Sequence, residues 1–449
     1  MIESMIDKGS MPGGEHGRRV EDMKKRGKVY TFYSYKGGVG RSMAMANVAV
    51  LLAKWGKRVL VVDWDLEAPG IERYFKADGN NDIRSSIRLS NTPKEKYGIV
   101  DLVLDRISKN SLKWHDCVIN AEIYDKAPSL SIITAGKQTS KYPESVQNLN
   151  WNELFEKENI GAWLNELREE WIEEYDIVLI DSRTGISDIG GICTIILPDV
   201  LVLMFTTNLQ SIDGVMKVMR SARSAQDDLP VDRDLLVALP VLARDESQTE
   251  YDRSEAWRDR IADKMAEFLR DWLMRKVTPR DVLQKLYIPY VAYWSFGERL
   301  PVFEKEEELE DPRKIGAAYA RLATLIENQL DWKVMDRYGD PHELTETRVE
   351  LQQKEEEVES LNVIVKKLQE QLLELQENAK KQNGKQPISD VRLRIFYLLI
   401  SIGVTIAIAG IIIAVFTGKE AFGGILFFSG FFSATLAGYY ELRSRRHKK

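Results

Sequence analysis

Seven residues, Lys36-Gly37-Gly38-Val39-Gly40-Arg41-Ser42, set two cations and a hydroxyl around three glycines. That composition suits the grip of a phosphate chain. Glycines let backbone N–H groups turn inward at phosphate oxygens, and a helix starting where the loop ends adds its partial positive charge. Ser42 stands where its hydroxyl can reach a magnesium ion. Carboxylates form the second chemical group. Asp63 and Asp65 flank Trp64 just after one apolar run, and Asp181 ends another, Ile177-Val178-Leu179-Ile180. An acid at the carboxyl end of a buried strand lies where an open α/β sheet binds its ligand. Asp181 is suited to hold Mg2+ through a coordinated water, because that ion keeps much of its hydration shell.

The elements that must position these groups are legible around them. Residues 29–35 (VYTFYSY) are β-branched and aromatic, which predicts a strand running into the glycines. Residues 43–55 (MAMANVAVLLAKW) follow as an apolar, alanine-rich helix. Short continuous apolar runs at 59–62, 177–180 and 200–205 predict strands buried on both faces, with further strands at 235–242 and 287–290. Amphipathic helical spacing recurs at 151–175, with Trp163, Leu164, Leu167, Trp171 and Ile172 on one face, and helices are predicted at 210–225, 254–276 and 313–331. The alternation predicts an α/β domain of the P-loop NTPase kind with a mostly parallel sheet. Residues 76–144 are the least readable, with a helix at 98–107 and a short strand at 130–134.

Lys36 before the first glycine and Arg41 before Ser42 give the pattern K-G-G-x-G-[K/R]-S. It resembles the deviant Walker A motif of the ParA/MinD group of ATPases (SIMIBI class), and within it the KGGVGR-motif variants. The resemblance covers residues 29–331 and is specific at three motifs: the loop, Asp63-Trp64-Asp65 and Asp181–Gly185. It implies ATP held by Gly37, Gly38, Val39, Gly40, Arg41, Ser42, Met43 and Gly185, with Mg2+ at Ser42, Asp63 and Asp181. By the same resemblance Lys36 reaches across a dimer to the second nucleotide, and Asp65 orients the attacking water. Arg41 keeps the charge of the usual lysine in the shape of a planar fork. Ser182-Arg183-Thr184-Gly185 resembles the switch II segment, with the Gly185 N–H turned to the γ-phosphate. Two roles are open to Arg183: stabilising transition-state charge as an arginine finger does, or pairing with Asp188. Residues 76–150 correspond to an insertion.

The remaining chain is read from composition. A net charge of −6 over 449 residues gives no global case for nucleic-acid binding. Cys117 and Cys193, with His16, His115, His342 and His447, show no metal-binding spacing, and a reducing cytosolic setting is expected. Residues 1–28 form a polar tail without the apolar core of a signal peptide. Leu344, Leu351, Val358, Val365 and Leu372 with Leu361, Leu368 and Leu375 set a heptad seam, so a coiled coil is expected over 340–382 and a hinge over 383–394. Residues 395–416 and 421–440 are uncharged. At about 1.5 Å per residue each crosses the roughly 30 Å hydrocarbon core, predicting a transmembrane hairpin over 395–440. Arginines and lysines outside the hairpin, including the basic tail 441–449, put both termini in the cytoplasm of a multi-pass inner-membrane protein.

The expected function is a membrane-anchored switch ATPase acting as a nucleotide-sandwich homodimer or higher oligomer, joined through head, coiled coil and hairpin. Membrane lipid and a protein partner complete the expected contacts. Two alternatives stand beside it. One is a nucleotide-binding sensor or scaffold with little hydrolysis, favoured by Arg41. The other is a bacterial tyrosine-kinase-like protein, for which the tail offers only Tyr439 and Tyr440.

Overall fold

The computed structural model describes residues 26–338 apart from 77–83, 85–86, 91–95, 124–129, 186–190, 228–232 and 248, together with helical positions between Val358 and Glu374. Its centre is β1 (Lys28–Ser34), buried from its second residue onward. Around it lie β2 (Val59–Asp63), β3 (Arg88–Leu89), β4 (Val118–Glu122), β5 (Leu130–Ile133), β6 (Ile177–Asp181), β7 (Val200–Phe205), β8 (Val237–Asp245) and β9 (Tyr287–Pro289). Among the described residues these form one sheet in the order β3-β4-β5-β2-β6-β1-β7-β8-β9. From β5 to β9 every pairing is parallel, while β4 runs antiparallel to both β5 and β3.

The continuous apolar runs follow from this arrangement, because helices cover both faces of a parallel sheet. On one face α1 (Arg41–Lys54) is buried along nearly its whole length and packs with the helix Ile315–Glu327. On the other, α2 (Ile99–Ile107), α3 (Tyr142–Gln147), α4 (Trp151–Lys157) and α5 (Ile160–Glu174) close a second core around Trp64, Trp114 and Trp171. The poorly readable stretch therefore supplies β3, β4, β5 and two helices, extending the sheet by an antiparallel edge. Register carries the functional consequence. Asp63 on β2 is directly opposite Asp181 on β6, and Phe32 on β1 is opposite Asp181 from the other side. The acids thus meet beside the strand that feeds the glycine loop.

The expectation of a multi-pass membrane protein is overturned. Among the described residues no helix is long and apolar enough to cross a membrane. The longest, Leu209–Asp227 and Tyr251–Leu269, have 19 residues each and carry charged side chains such as Asp213, Lys217, Arg220, Asp252, Arg253 and Lys264. The stretch read as a hairpin (395–440), the hinge, the basic tail with Tyr439 and Tyr440, and residues 1–25 lie outside the described residues. Of the expected coiled coil, Val358, Leu361, Ile364 and Gln371 are among the described helical positions.

Candidate functional site

The loop between β1 and α1 is built by backbone conformations that favour glycine. Gly38 and Gly40 take φ of 73° and 86°, in the left-handed region. A Cβ on Gly37, Gly38 or Gly40 would meet nothing within 4 Å, so the glycine face is open. Below it the loop is tied down. The Ser34 hydroxyl donates to the Lys36 carbonyl at 3.0 Å, Val39 is buried, and the Ala44 N–H donates to the Gly40 carbonyl at 2.9 Å to start α1. Gly214 of the helix Leu209–Asp227 seats against the Tyr35 ring so closely that a Cβ there would fall 2.1 Å from it. Lys36, Ser42 and Met43 are half-buried at this loop.

Arg41 departs from the direction its motif implies. Its Nε donates to Asp181 Oδ1 at 2.6 Å and its Nη2 to Asp65 Oδ2 at 3.1 Å. The residue is 7% exposed, and its buried Nη1 has no hydrogen-bond partner. Burial by itself lowers the guanidinium's pKa; Asp181 and then Asp65 outweigh it, and the net shift is upward. Asp65 shifts upward as well, because burial outweighs the attraction of Arg41. Asp63 does different work. Its Oδ1 accepts from the Asp65 N–H at 3.1 Å, and its Oδ2 from Gly70 and Ile71 at 3.0 and 3.3 Å. It thereby folds the loop after β2. Complete burial, then the charge of Asp181, push the Asp63 carboxyl well above the usual carboxylate range.

This donor set does not fit a divalent cation as arranged. Mg2+ takes oxygens at about 2.0–2.1 Å in an octahedral shell and repels other cations. The facing oxygens of Asp181 and Asp65 are matched to one guanidinium, and those of Asp63 to backbone N–H groups. Among the described residues no cluster of three or more His, Cys, Asp and Glu could hold a metal ion. The structure brings Asp63, Asp65, Asp181 and Arg41 together, with Ser42 one residue from Arg41 at the start of α1.

Beyond β6 the Ser182 hydroxyl donates to the Phe32 carbonyl at 2.9 Å, and the Tyr33 hydroxyl to the Gly185 carbonyl at 3.1 Å. Gly185 has φ of 76°. Arg183 pairs with Glu67, linking the two acidic loops; Asp188 lies outside the described residues.

The sequence had not singled out the far wall of the site. A cavity of about 260 Å3 opens beside the glycines, lined by Gly38, Gly40, Met43, Arg244, Tyr290 and Trp294 among others. Arg244 reaches across it, with its Nη1 donating to the Gly38 carbonyl at 3.0 Å and its guanidinium 4.6 Å from the centre of the Tyr290 ring. It does so from a left-handed conformation, φ 54°, at a register shift between β8 and β9. Asp245 anchors that shift. It accepts from Arg258 at 2.9 Å and from the hydroxyls of Ser254 and Ser247, and its carbonyl accepts from the Tyr290 N–H. The available sequence signal was positional: Arg244 and Tyr290 stand at the carboxyl ends of late strands.

Residues 27–235 match the family model described as AAA domain. The septum site-determining protein MinD of Helicobacter pylori is 28% identical over 215 residues, 46% of this chain and 65% of that protein. An uncharacterized ATP-binding protein of Methanocaldococcus jannaschii is 31% identical over 83 residues, 18% of this chain and 29% of that protein. Among solved structures, MinD of Pyrococcus horikoshii complexed with Mg-ADP aligns with 68% of this chain and 98% of its own at 17% identity and a TM-score of 0.43. This chain thus spans less than two thirds of the length of the curated relatives it matches. In its glycine loop, its two acidic strand ends and the matched segment 27–235, the chain is similar to P-loop ATPases of the MinD kind.

Proposed function

We propose that this protein binds ATP across the glycine loop and the adjoining cavity, and hydrolyses it as a homodimeric or higher-order switch. One observation carries the reading: an open loop with left-handed Gly38 and Gly40 borders both the acidic ends of β2 and β6 and the cavity under Arg244. Loop N–H groups and the start of α1 suit phosphate oxygens. The Tyr290 ring and the Arg244 guanidinium suit the flat face and hydroxyls of a nucleoside. Among the described residues no carboxylate pairs with the Lys36 ammonium, which leaves its charge for a second nucleotide across a dimer. Self-association along 340–382 as a coiled coil raises the effective concentration of the second head.

The engagement of Arg41 with both Asp65 and Asp181 favours a second reading, a nucleotide sensor with little turnover. ATP turnover by the full chain over a range of protein concentrations separates the two. The switch reading expects turnover per chain to rise with concentration and to fall by roughly a hundredfold in Lys36→Ala and Asp65→Ala, the size of effect that loss of one charge-stabilising group produces. Tight ATP binding with no turnover selects the sensor.

A further inference from the structure

The P-loop arginine raises a question the ATPase reading leaves open: what neutralises Asp65 and Asp181. We infer that Arg41 is a displaceable internal counter-ion, a latch that occupies Asp65 and Asp181 and competes with a divalent cation for them. Four observations support this. Nε at 2.6 Å from Asp181 Oδ1 leaves no room for an ion on that oxygen, and Nη2 occupies the near oxygen of Asp65. Asp63, the third carboxylate, is spent on three backbone N–H groups as the strand neighbour of Asp181, so it offers no free oxygen to a cation. The guanidinium keeps one buried N–H, Nη1, without a partner, so its present arrangement is incomplete. The loop leading into it ends at left-handed Gly40 and is exposed to solvent at Gly37, Gly38 and Gly40.

The same fork that grips two carboxylates matches phosphate oxygens with equal geometry. A triphosphate arriving on the loop competes for Arg41 and, by drawing it away, uncovers the acids. A lysine in this place, a point charge on a flexible stem, would not span both carboxylates. The motif's one substitution would then set the protein's metal requirement rather than its phosphate affinity alone. This part of the inference rests on the P-loop reading; the latch itself does not.

The test uses the full chain without nucleotide, titrated with Mn2+ while free ion is followed by electron paramagnetic resonance. Arg41→Ala is expected to bind Mn2+ about tenfold or more tighter than wild type, and Arg41→Ala with Asp181→Asn to return to the weak wild-type level, since carboxylate charge sets affinity for hard cations. Equal affinity in wild type and Arg41→Ala overturns the latch. Should Arg41→Ala not fold, Arg41→Gln keeps most of the length without the charge and serves in its place. A second arm needs no variant: because the triphosphate uncovers the acids for the ion, wild-type ATP affinity is expected to be about tenfold or more tighter in Mg2+ than in EDTA, and equal affinity in the two buffers overturns the exchange. Absence of ATP binding in both buffers, with the Mn2+ contrast intact, would defeat the nucleotide reading and leave the latch standing.

Discussion

Arg41 and Arg258 make the same kind of bond at opposite ends of one site, and their surroundings separate their roles. Each guanidinium bridges two carboxylates: Asp181 and Asp65 for Arg41, Asp245 and Glu255 for Arg258. Around Arg258 the pair with Asp245 is sealed, while Glu255 on the other arm keeps 16% of its side chain exposed. The side chains of Arg258 and Asp245 are fully inaccessible, and the Ser247 and Ser254 hydroxyls complete the Asp245 carboxylate. Around Arg41 neither pair is fully sealed: Arg41 is 7% exposed, Asp181 3% and Asp65 16%, beside the exposed Gly37, Gly38 and Gly40. A charge pair sealed in the interior fixes geometry, here the bend that presents Arg244 and Tyr290. A pair beside an open loop, as that of Arg41 is, can be exchanged for a ligand. Buried ion pairs are poor sources of net stability but costly to break on one side.

The contrast is sharpest in stability. Arg258→Met leaves Asp245 buried without its cation and is expected to cost about 3–5 kcal/mol in urea unfolding. Arg41→Met leaves Asp65 partly exposed, where water can take over part of the lost bonding, so about 1–3 kcal/mol is expected. Equal losses, or the reverse order, would remove the distinction between a sealed and an exchangeable pair. A smaller effect is expected at the wall that the sealed network supports. Arg244→Ala removes one hydrogen bond and one guanidinium–ring contact, so ATP affinity measured by calorimetry should fall by roughly five- to tenfold with the unfolding midpoint nearly unchanged. An unaltered affinity would detach the cavity from nucleotide binding.

The contrast also explains what could be read in advance. Apolar runs ending in Asp63 and Asp181 encode the two strands and their acidic ends, because a strand covered on both faces tolerates polar groups only at its tip. The glycines encode the loop, since Gly38 and Gly40 sit in conformations unfavourable to other residues. The direction of the Arg41 side chain is not encoded locally. It depends on Asp65, 24 residues on, and Asp181, 140 residues on, arriving at one point through the β2–β6 register. Arg244 and Tyr290 were hidden for the same reason: the register shift that joins them is held by Arg258, on a helix read only as charged and amphipathic. Residues 76–144 resisted reading because an edge strand of two residues, Arg88–Leu89, carries no periodicity.

A third pair extends the comparison to the surface and should give the smallest effect. Arg313 holds Asp311 through Nε at 3.0 Å and Nη2 at 2.8 Å, with both side chains 30% exposed. The hydrogen bond from Arg313 pulls the Asp311 carboxyl down from 3.8 to about 2. The sign follows directly. In the unfolded chain Asp311 takes up its proton near 3.8, while the folded protein resists protonation until about 2, so the pair's contribution is present above 3.8 and is lost as pH falls through that interval. Solvent and salt screen a pair this exposed, and its worth at neutral pH is expected to stay below about 1 kcal/mol. Comparing Asp311→Asn with wild type by thermal unfolding at low salt should therefore show a small deficit at pH 6 that vanishes by pH 2. The deficit should shrink further in about 1 M salt, where the screening length is near 3 Å. A loss as large as that of Arg258→Met would mean that exposure does not rank these pairs, and the argument from sealed to exchangeable would lose its scale.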